Sequence, residues 1–330
     1  EHFVKMVMMM QRRAMMSQSG ASTLCRRVAF VLPISLLLCQ TIASGAPQNV
    51  LRRNQQAHDT KIDAVHLVYA ADEGAIPGVE ASIRSVKAHA SGDVIFHFIG
   101  NSPLKTVPDL NFYNLSEVSL EFQLEEFTNP GGKRSSRDDN INTDLANFAR
   151  FVIDSLLPRV SKMMWIDADT LVLCDVVNMV RDALTRSEHV IAAVPSHRPP
   201  KGLSGDARKE FSHVTESFNA GVYVSNLDRW REQNLTKEVR ELTLRNRKEN
   251  LYRYGSQPPL NLVVGENFEH LPQTWNVALE HLSSRNKTAL LESACLLHFK
   301  GGPKPWEEGG KHRDIWQFFS MSPDAEYGKL

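Results

Sequence analysis

No sign of charge predominates in this chain: 38 Lys and Arg stand against 38 Asp and Glu over 330 residues. Without a basic excess, a nucleic-acid reader held by phosphate contacts is excluded. Cysteine is scarce, with four residues in all, too few for a disulfide scaffold. No internal repeat is visible, so a solenoid or propeller array is excluded as well. An uninterrupted apolar run of about twenty residues, enough to cross a bilayer comfortably, is also missing. The apolar stretch Val28–Ala43 is 16 residues long and contains Pro33 and Gln40. What is present is 42% hydrophobic content, which marks an ordinary globular chain able to bury a core. Length alone allows one large domain or two small ones.

The first 45 residues differ from the rest. They hold six of the ten methionines, then Arg26 and Arg27, the apolar stretch, and the small residues Ala43, Ser44, Gly45 and Ala46. A basic flank, a hydrophobic centre and a small-residue end form the layout of a secretory signal. Residues 1–45 are therefore expected to be a signal peptide or a signal anchor. An anchor would leave its arginines cytosolic and the remainder lumenal. Residues 46–60 are polar and aperiodic and read as a stem or linker. The main part, residues 61–330, is expected in the secretory pathway, in the Golgi lumen as a type II membrane protein or secreted after cleavage. Membrane contact is expected only through that anchor. Three acceptor sequons, at Asn114, Asn234 and Asn286, agree with a lumenal glycoprotein. Residues 1–45 contain five of the basic and one of the acidic side chains, so residues 46–330 carry 33 basic against 37 acidic, a net of −4.

From residue 61 short apolar runs alternate with amphipathic ones. Strands are expected at 65–71, 94–99, 117–124, 162–167, 190–195 and 221–225. Helices are expected at 77–90, 145–157 and, long and charged, at 228–248. Alternating β and α units imply an α/β fold with a mostly parallel sheet covered by helices on both faces. Ligands in such sheets lie beyond the carboxyl ends of the strands. The polar stretch 129–143 reads as a loop or lid.

Two constellations carry chemistry. Met163–Thr170, M-M-W-I-D-A-D-T, is an apolar strand that runs into two carboxylates one residue apart. On an extended backbone Asp167 and Asp169 would share a side and could hold a hard divalent cation. A strand-end turn with solvated aspartates is the bland alternative. Leu296–Trp306, L-L-H-F-K-G-G-P-K-P-W, ends an apolar strand with His298, followed three residues later by Gly301 and three after that by Lys304. An imidazole can ligate a metal, a glycine lets backbone approach a phosphate, and a lysine supplies a point charge on it. A hydrogen-bonded structural histidine is the alternative there. A glycoside hydrolase is disfavoured, because carboxylates that neighbour each other on one strand cannot flank a sugar ring. Cys174 and Cys295 adjoin the two constellations, and either a disulfide or two free thiols is consistent with that placement.

The ordered set V-Y-A-A-D-E, N-F-A-R-F, W-I-D-A-D-T, F-N-A-G-V-Y-V-S-N-L-D-R-W, S-Q-P-P-L-N, Q-T-W-N and H-F-K-G-G-P-K-P-W, over residues 62–315, resembles glycosyltransferase family 8. Within that family it is most similar to the animal glycosyltransferase 8 domain-containing proteins. The resemblance implies a Rossmann-like GT-A fold in a single catalytic domain and a retaining transferase. Such an enzyme moves a hexose or pentose from a UDP-sugar to a hydroxyl of a glycan, protein or lipid acceptor. By the same resemblance Asp167, Asp169 and His298 would hold Mn2+ or another divalent cation, with Ala168 between the aspartates in the cofactor-binding turn. Ala70 and Asp72 would contact uracil and ribose, and Gly301 and Lys304 would clamp the diphosphate. Arg150, Asn219 and Gln257 would act at the donor sugar, Gln257 beneath its anomeric carbon. Asn219 and Gly221 could otherwise form a tight turn before a strand, Arg150 a helix-surface cation and Gln257 a turn residue. Two departures stand out: Ser256 replaces a frequent aspartate before Gln257, and Gly74 a frequent asparagine. The first keeps open a lumenal UDP- and metal-binding pseudoenzyme.

Overall fold

The computed structural model describes residues 64–129, 143–281 and 291–320. The expected leader, the stem, most of the stretch 129–143 and the sequon at Asn286 lie outside the described residues. Among the described residues, no helix is long and apolar enough to cross a membrane.

Seven strands form the central sheet in the order β3-β2-β1-β4-β7-β6-β8. They are β1 Val65–Ala70, β2 Val94–Gly100, β3 Asn111–Asn114, β4 Lys162–Ile166, β6 Ile191–Pro195, β7 Phe218–Asn226 and β8 Phe268–His270. Pairs β1/β2, β1/β4, β2/β3 and β6/β8 are parallel, and β7 runs antiparallel to β4 and β6. The apolar runs of β1 and β4 are buried on both faces, as the middle of a covered sheet demands. Alternate residues divide between two cores. Val68, Trp165 and Tyr223 pack on one face with Phe148 and Phe151. Leu67, Tyr69, Met164 and Val222 pack on the other with Val79, Ile83 and Val86 of the helix Ile76–His89. That helix starts with Pro77 in its first turn and ends with Lys87, a cation that suits its carboxyl end.

The strand order reverses between β1 and β4, which places a crevice at their carboxyl ends. A second sheet, β5 Thr170–Val172, β10 Leu296–His298 and β9 Val277–Ala278, caps that edge. β10 pairs antiparallel with β5, so His298 lies opposite Thr170, next to the aspartate turn. A disulfide joins Cys174 to Cys295 across this sheet, resolving the two alternatives left by the sequence.

Three sequence expectations are corrected. Residues 115–122 are a helix rather than a strand: Leu115, Val118 and Phe122 recur at helical spacing, and the Asn114 carboxamide caps the start by accepting from the backbone N–H of Ser116 and Glu117. The expected helix 145–157 is broken into Leu145–Phe148, a single 3-10 turn Ala149–Phe151, and Ile153–Leu156. The expected helix 228–248 is two, Leu227–Glu232 and Leu235–Glu249, divided at Asn234 with φ 54°. Asparagine tolerates that left-handed conformation better than most residues. Asn219 and Gly221 lie inside β7, so the tight-turn reading of this pair also falls.

Candidate active site

Strand β4 delivers its carboxylates through a turn, not along an extended strand. Asp167 N still donates to Gly221 O of β7 at 2.7 Å. Residues 168–169 then turn, closed by Thr170 Oγ1 donating to Asp167 O at 2.9 Å. The extended-backbone expectation is thus corrected, yet both carboxylates still reach one place. One ligand atom from each of Asp167, Asp169 and His298 lies within 4.8 Å of the others.

Each carboxylate has its own cationic partner. Asp167 Oδ1 accepts from Trp165 Nε1 at 2.9 Å and from Arg150 at 3.2 Å. The Arg150 guanidinium stacks 4.5 Å over the Trp165 ring and also donates to Ala220 O. At 5% exposure Arg150 is no helix-surface cation; the 3-10 turn at 149–151 carries it into the crevice. Asp169 sits 3.2 Å from His298 Nε2 and accepts from Lys304 Nζ. Burial by itself raises the carboxyl pKa of Asp169, but His298 and Lys304 outweigh it and hold the group well below the usual carboxylate range.

Gly221 explains how Asp167 and His298 come so close. A Cβ on it would stand 2.4 Å from Asp167 Oδ2 and 2.6 Å from His298 Cε1. Two carboxylates and one imidazole, converging where a glycine yields the space, suit a divalent cation of the Mn2+ or Mg2+ kind. The residues present therefore fit such an ion.

The other expected residues have partners of their own. Asn219 and Gln257 are bonded to one another: Gln257 Oε1 accepts from Asn219 Nδ2 at 3.0 Å and from Ala220 N at 3.1 Å. Gln257 opens the helix Gln257–Val264 and is not a turn residue. Gly301 has φ 77°, a conformation that favours glycine, and stands in the loop between His298 and Lys304. Ala70 ends β1. Asp72, exposed, is occupied in capping a 3-10 turn by accepting from Ala75 N at 3.1 Å. Ala168 borders Gly78 at the start of the helix Ile76–His89, where a Cβ would meet Ala168 O at 2.6 Å and the Trp306 ring at 2.4 Å. Trp306 Nε1 in turn donates to Gly74 O at 2.9 Å, fastening the H-F-K-G-G-P-K-P-W segment over that side of the crevice.

Sequence reasoning missed four residues here. Trp165 and Asn147 hold Asp167 and Arg150. Asn276 joins Asn219 to His298, and Lys300 is a partly buried lysine whose pKa burial pushes down against the pull of Glu280. All four sit within the quoted motifs, but nothing in their spacing identifies their partners. Ser256 donates to Asn147 Oδ1 at 2.7 Å, and Arg150 donates to the same oxygen at 3.2 Å. Ser256 is therefore tied into the support of Arg150.

Comparison with known proteins places the chain. Residues 66–310 match the model of "Glycosyl transferase family 8". The chain is 25% identical to bovine "Glycosyltransferase 8 domain-containing protein 2", over 93% of its own length and 98% of the relative's. It is 27% identical to human "Glycosyltransferase 8 domain-containing protein 1", over 86% and 83%. Among solved structures, its fold is similar to the bifunctional glycosyltransferase WbbM, with a TM-score of 0.60 and 20% identity, over 80% of this chain and only 50% of that one. It is also similar to the galactosyltransferase LgtC solved with donor and acceptor sugar analogues, with a TM-score of 0.56 and 17% identity, over 81% of this chain and all of that one. These structures establish a GT-A type fold.

Proposed function

This chain belongs to glycosyl transferase family 8, and from that premise we propose that it transfers a hexose or pentose from a UDP-sugar to an acceptor hydroxyl with retention of configuration. The observation that carries this reading is the convergence of Asp167, Asp169 and His298 at the carboxyl edge of β4, with Lys304 and Arg150 paired to the two carboxylates.

Departure of UDP leaves negative charge on the β-phosphate. Asp167, Asp169 and His298 would hold a divalent cation, Mn2+ in this proposal, which would supply Lewis-acid stabilisation of that charge. Lys304, now bonded to Asp169, supplies a second cation beside the same group. Gly301 lets backbone approach the diphosphate, and Ala70 and Asp72 lie where a uridine enters the carboxyl end of β1. Arg150 neutralises Asp167 and holds it in place. Gln257 is fixed through its oxygen, so its Nε2 is the amide group left to meet the donor sugar. No nucleophilic carboxylate is assigned. The acceptor hydroxyl attacks on the face that UDP leaves, and its proton passes to the departing phosphate. The acceptor is a glycan, protein or lipid. We place the protein in the lumen of the secretory pathway, in the Golgi; the Cys174–Cys295 disulfide supports an oxidising compartment.

The test is a panel of UDP-sugars incubated with the purified protein and Mn2+, with UDP release followed with and without acceptors. Release with at least one donor, lost on chelation, is the expected result. Metal-dependent UDP binding without turnover of any donor would replace this reading with the pseudoenzyme that Ser256 raises.

A further inference from the structure

Four side chains form a continuous line from the sugar side of the crevice to the metal ligands. Gln257 Oε1 faces Asn219 Nδ2 at 3.0 Å, Asn219 Oδ1 faces Asn276 Nδ2 at 3.2 Å, and Asn276 Oδ1 faces His298 Nδ1 at 2.9 Å. Beyond the ring, His298 Nε2 faces Asp169 Oδ1 at 3.2 Å. Asn276 is 8% exposed and His298 2% exposed, so bulk water does not substitute for these bonds.

The polarity of the line is not arbitrary. A backbone N–H is only a donor, so whatever it meets must be an acceptor. Gly221 N points at Asn219 at 3.2 Å, and Ala220 N points at Gln257 at 3.1 Å. These two amides identify the facing atoms as oxygens and so fix which end of each carboxamide is which. Asn219 Oδ1 then takes the NH2 of Asn276, and the oxygen of Asn276 is left facing His298 Nδ1. An oxygen there requires a proton on Nδ1, whether the ring is charged or neutral. When the ring is neutral, its lone pair is therefore on Nε2, the nitrogen that faces Asp169.

We propose that Asn276 is a positioning residue that holds the proton of His298 on Nδ1 and thereby dedicates Nε2 to the metal. The inference rests on the metal-binding reading of Asp167, Asp169 and His298. It extends that reading by adding a residue that touches neither metal nor donor. Through Asn219 the same line orients Gln257, so the amide at the sugar and the imidazole at the metal are set by one pair of β7 backbone N–H groups. Outer partners of this kind typically change metal affinity by about 10- to 100-fold.

Two readouts on the full chain test this without any turnover. The first is the ring N–H spectrum of 15N-histidine-labelled protein, with the His298 signals assigned by their loss in His298→Asn. A solvent-protected proton on Nδ1 of His298 is expected in the wild type, absent in Asn276→Ala and regained in Asn276→Asp, whose carboxylate still accepts from Nδ1. The second is affinity for Mn2+ alone, expected to fall about 10- to 100-fold in Asn276→Ala and to recover in large part in Asn276→Asp. A neutral wild-type ring with no proton on Nδ1 overturns the proposal, as does unchanged Mn2+ affinity in Asn276→Ala. Should Asn276→Ala not fold, the wild-type spectrum and the Asn276→Asp variant decide. A wild type that shows the Nδ1 proton but binds no Mn2+ would instead overturn the metal reading, so the two failures are told apart.

Discussion

His97 on β2 and His298 on β10 are equally withdrawn from water, 1% and 2% exposed, yet their partners differ in kind. His97 lies between His66 Nδ1 at 2.9 Å and Tyr113 OH at 3.1 Å, and among the described residues no carboxylate bonds to it. Burial, aided by the neighbouring His66, pushes its pKa down to about 3, so it is a neutral structural ring. His298 has a carboxamide on one nitrogen and a carboxylate on the other. Burial among neutral partners thus gives a packed histidine; a carboxylate beside the ring, at an edge where strands end, gives a candidate ligand. The sequence offers both as single histidines at the centre or end of an apolar strand.

The sharpest way to break this comparison is to remove the charge. Asp169→Ala should lower Mn2+-dependent UDP binding by more than about 100-fold in calorimetry, because a ligand lost should cost more than an outer partner lost. Retained binding and turnover in that variant would end the distinction between the two histidines as drawn. The other carboxylate's partner is read in stability instead of binding. Arg150→Met leaves Asp167 and the Ala220 carbonyl without their buried cation and should lower unfolding free energy by about 3–5 kcal/mol in urea titration. A loss below about 1 kcal/mol would mean that the exposed side of Asp167 already solvates it.

The smallest effect concerns His97 and has a definite sign. The unfolded chain binds a proton there near pH 6.5, while the folded chain stays neutral down to about pH 3. Between these values the unfolded state holds more protons, so stability falls as pH falls. Between pH 7 and 5 this one group should remove about 2 kcal/mol. His97→Gln should flatten that part of the stability profile, whatever its effect at pH 7, and an unchanged slope would show His97 to be solvated.

The candidate metal-site residues are legible because Asp167 and His298 each end an apolar run and Asp169 follows Asp167 by two positions. The motif order carried Asp167, Asp169, His298 and Lys304, and the strands β1, β2, β4 and β6 followed from buried apolar stretches. The helix Leu115–Phe122 overlaps the expected strand 117–124 because eight residues make only about two turns and give a weak period. The motif order puts Arg150 at the donor sugar, with a helix-surface cation as the alternative; its burial in a 3-10 turn, stacked on Trp165, is not visible in that order. The line from Gln257 to His298 could not be seen at all. Its members are separated by 38, 57 and 22 positions, and hydrogen-bond direction is not a property of spacing.

By itself, the sequence determined the alternation of strands and helices, hence a sheet covered on both faces, and placed two carboxylates and an imidazole where strands end. Those facts follow from hydrophobic periodicity, which depends only on neighbours along the chain. Tertiary structure alone decided the remainder: that β5 and β10 pair so the imidazole meets the carboxylates, that Gly221 leaves room between them, and that Cys174 joins Cys295. It also decided which nitrogen of His298 faces Asp169. Each of these depends on groups far apart in the chain whose separation in space, a few ångströms, is fixed only when the whole sheet has formed.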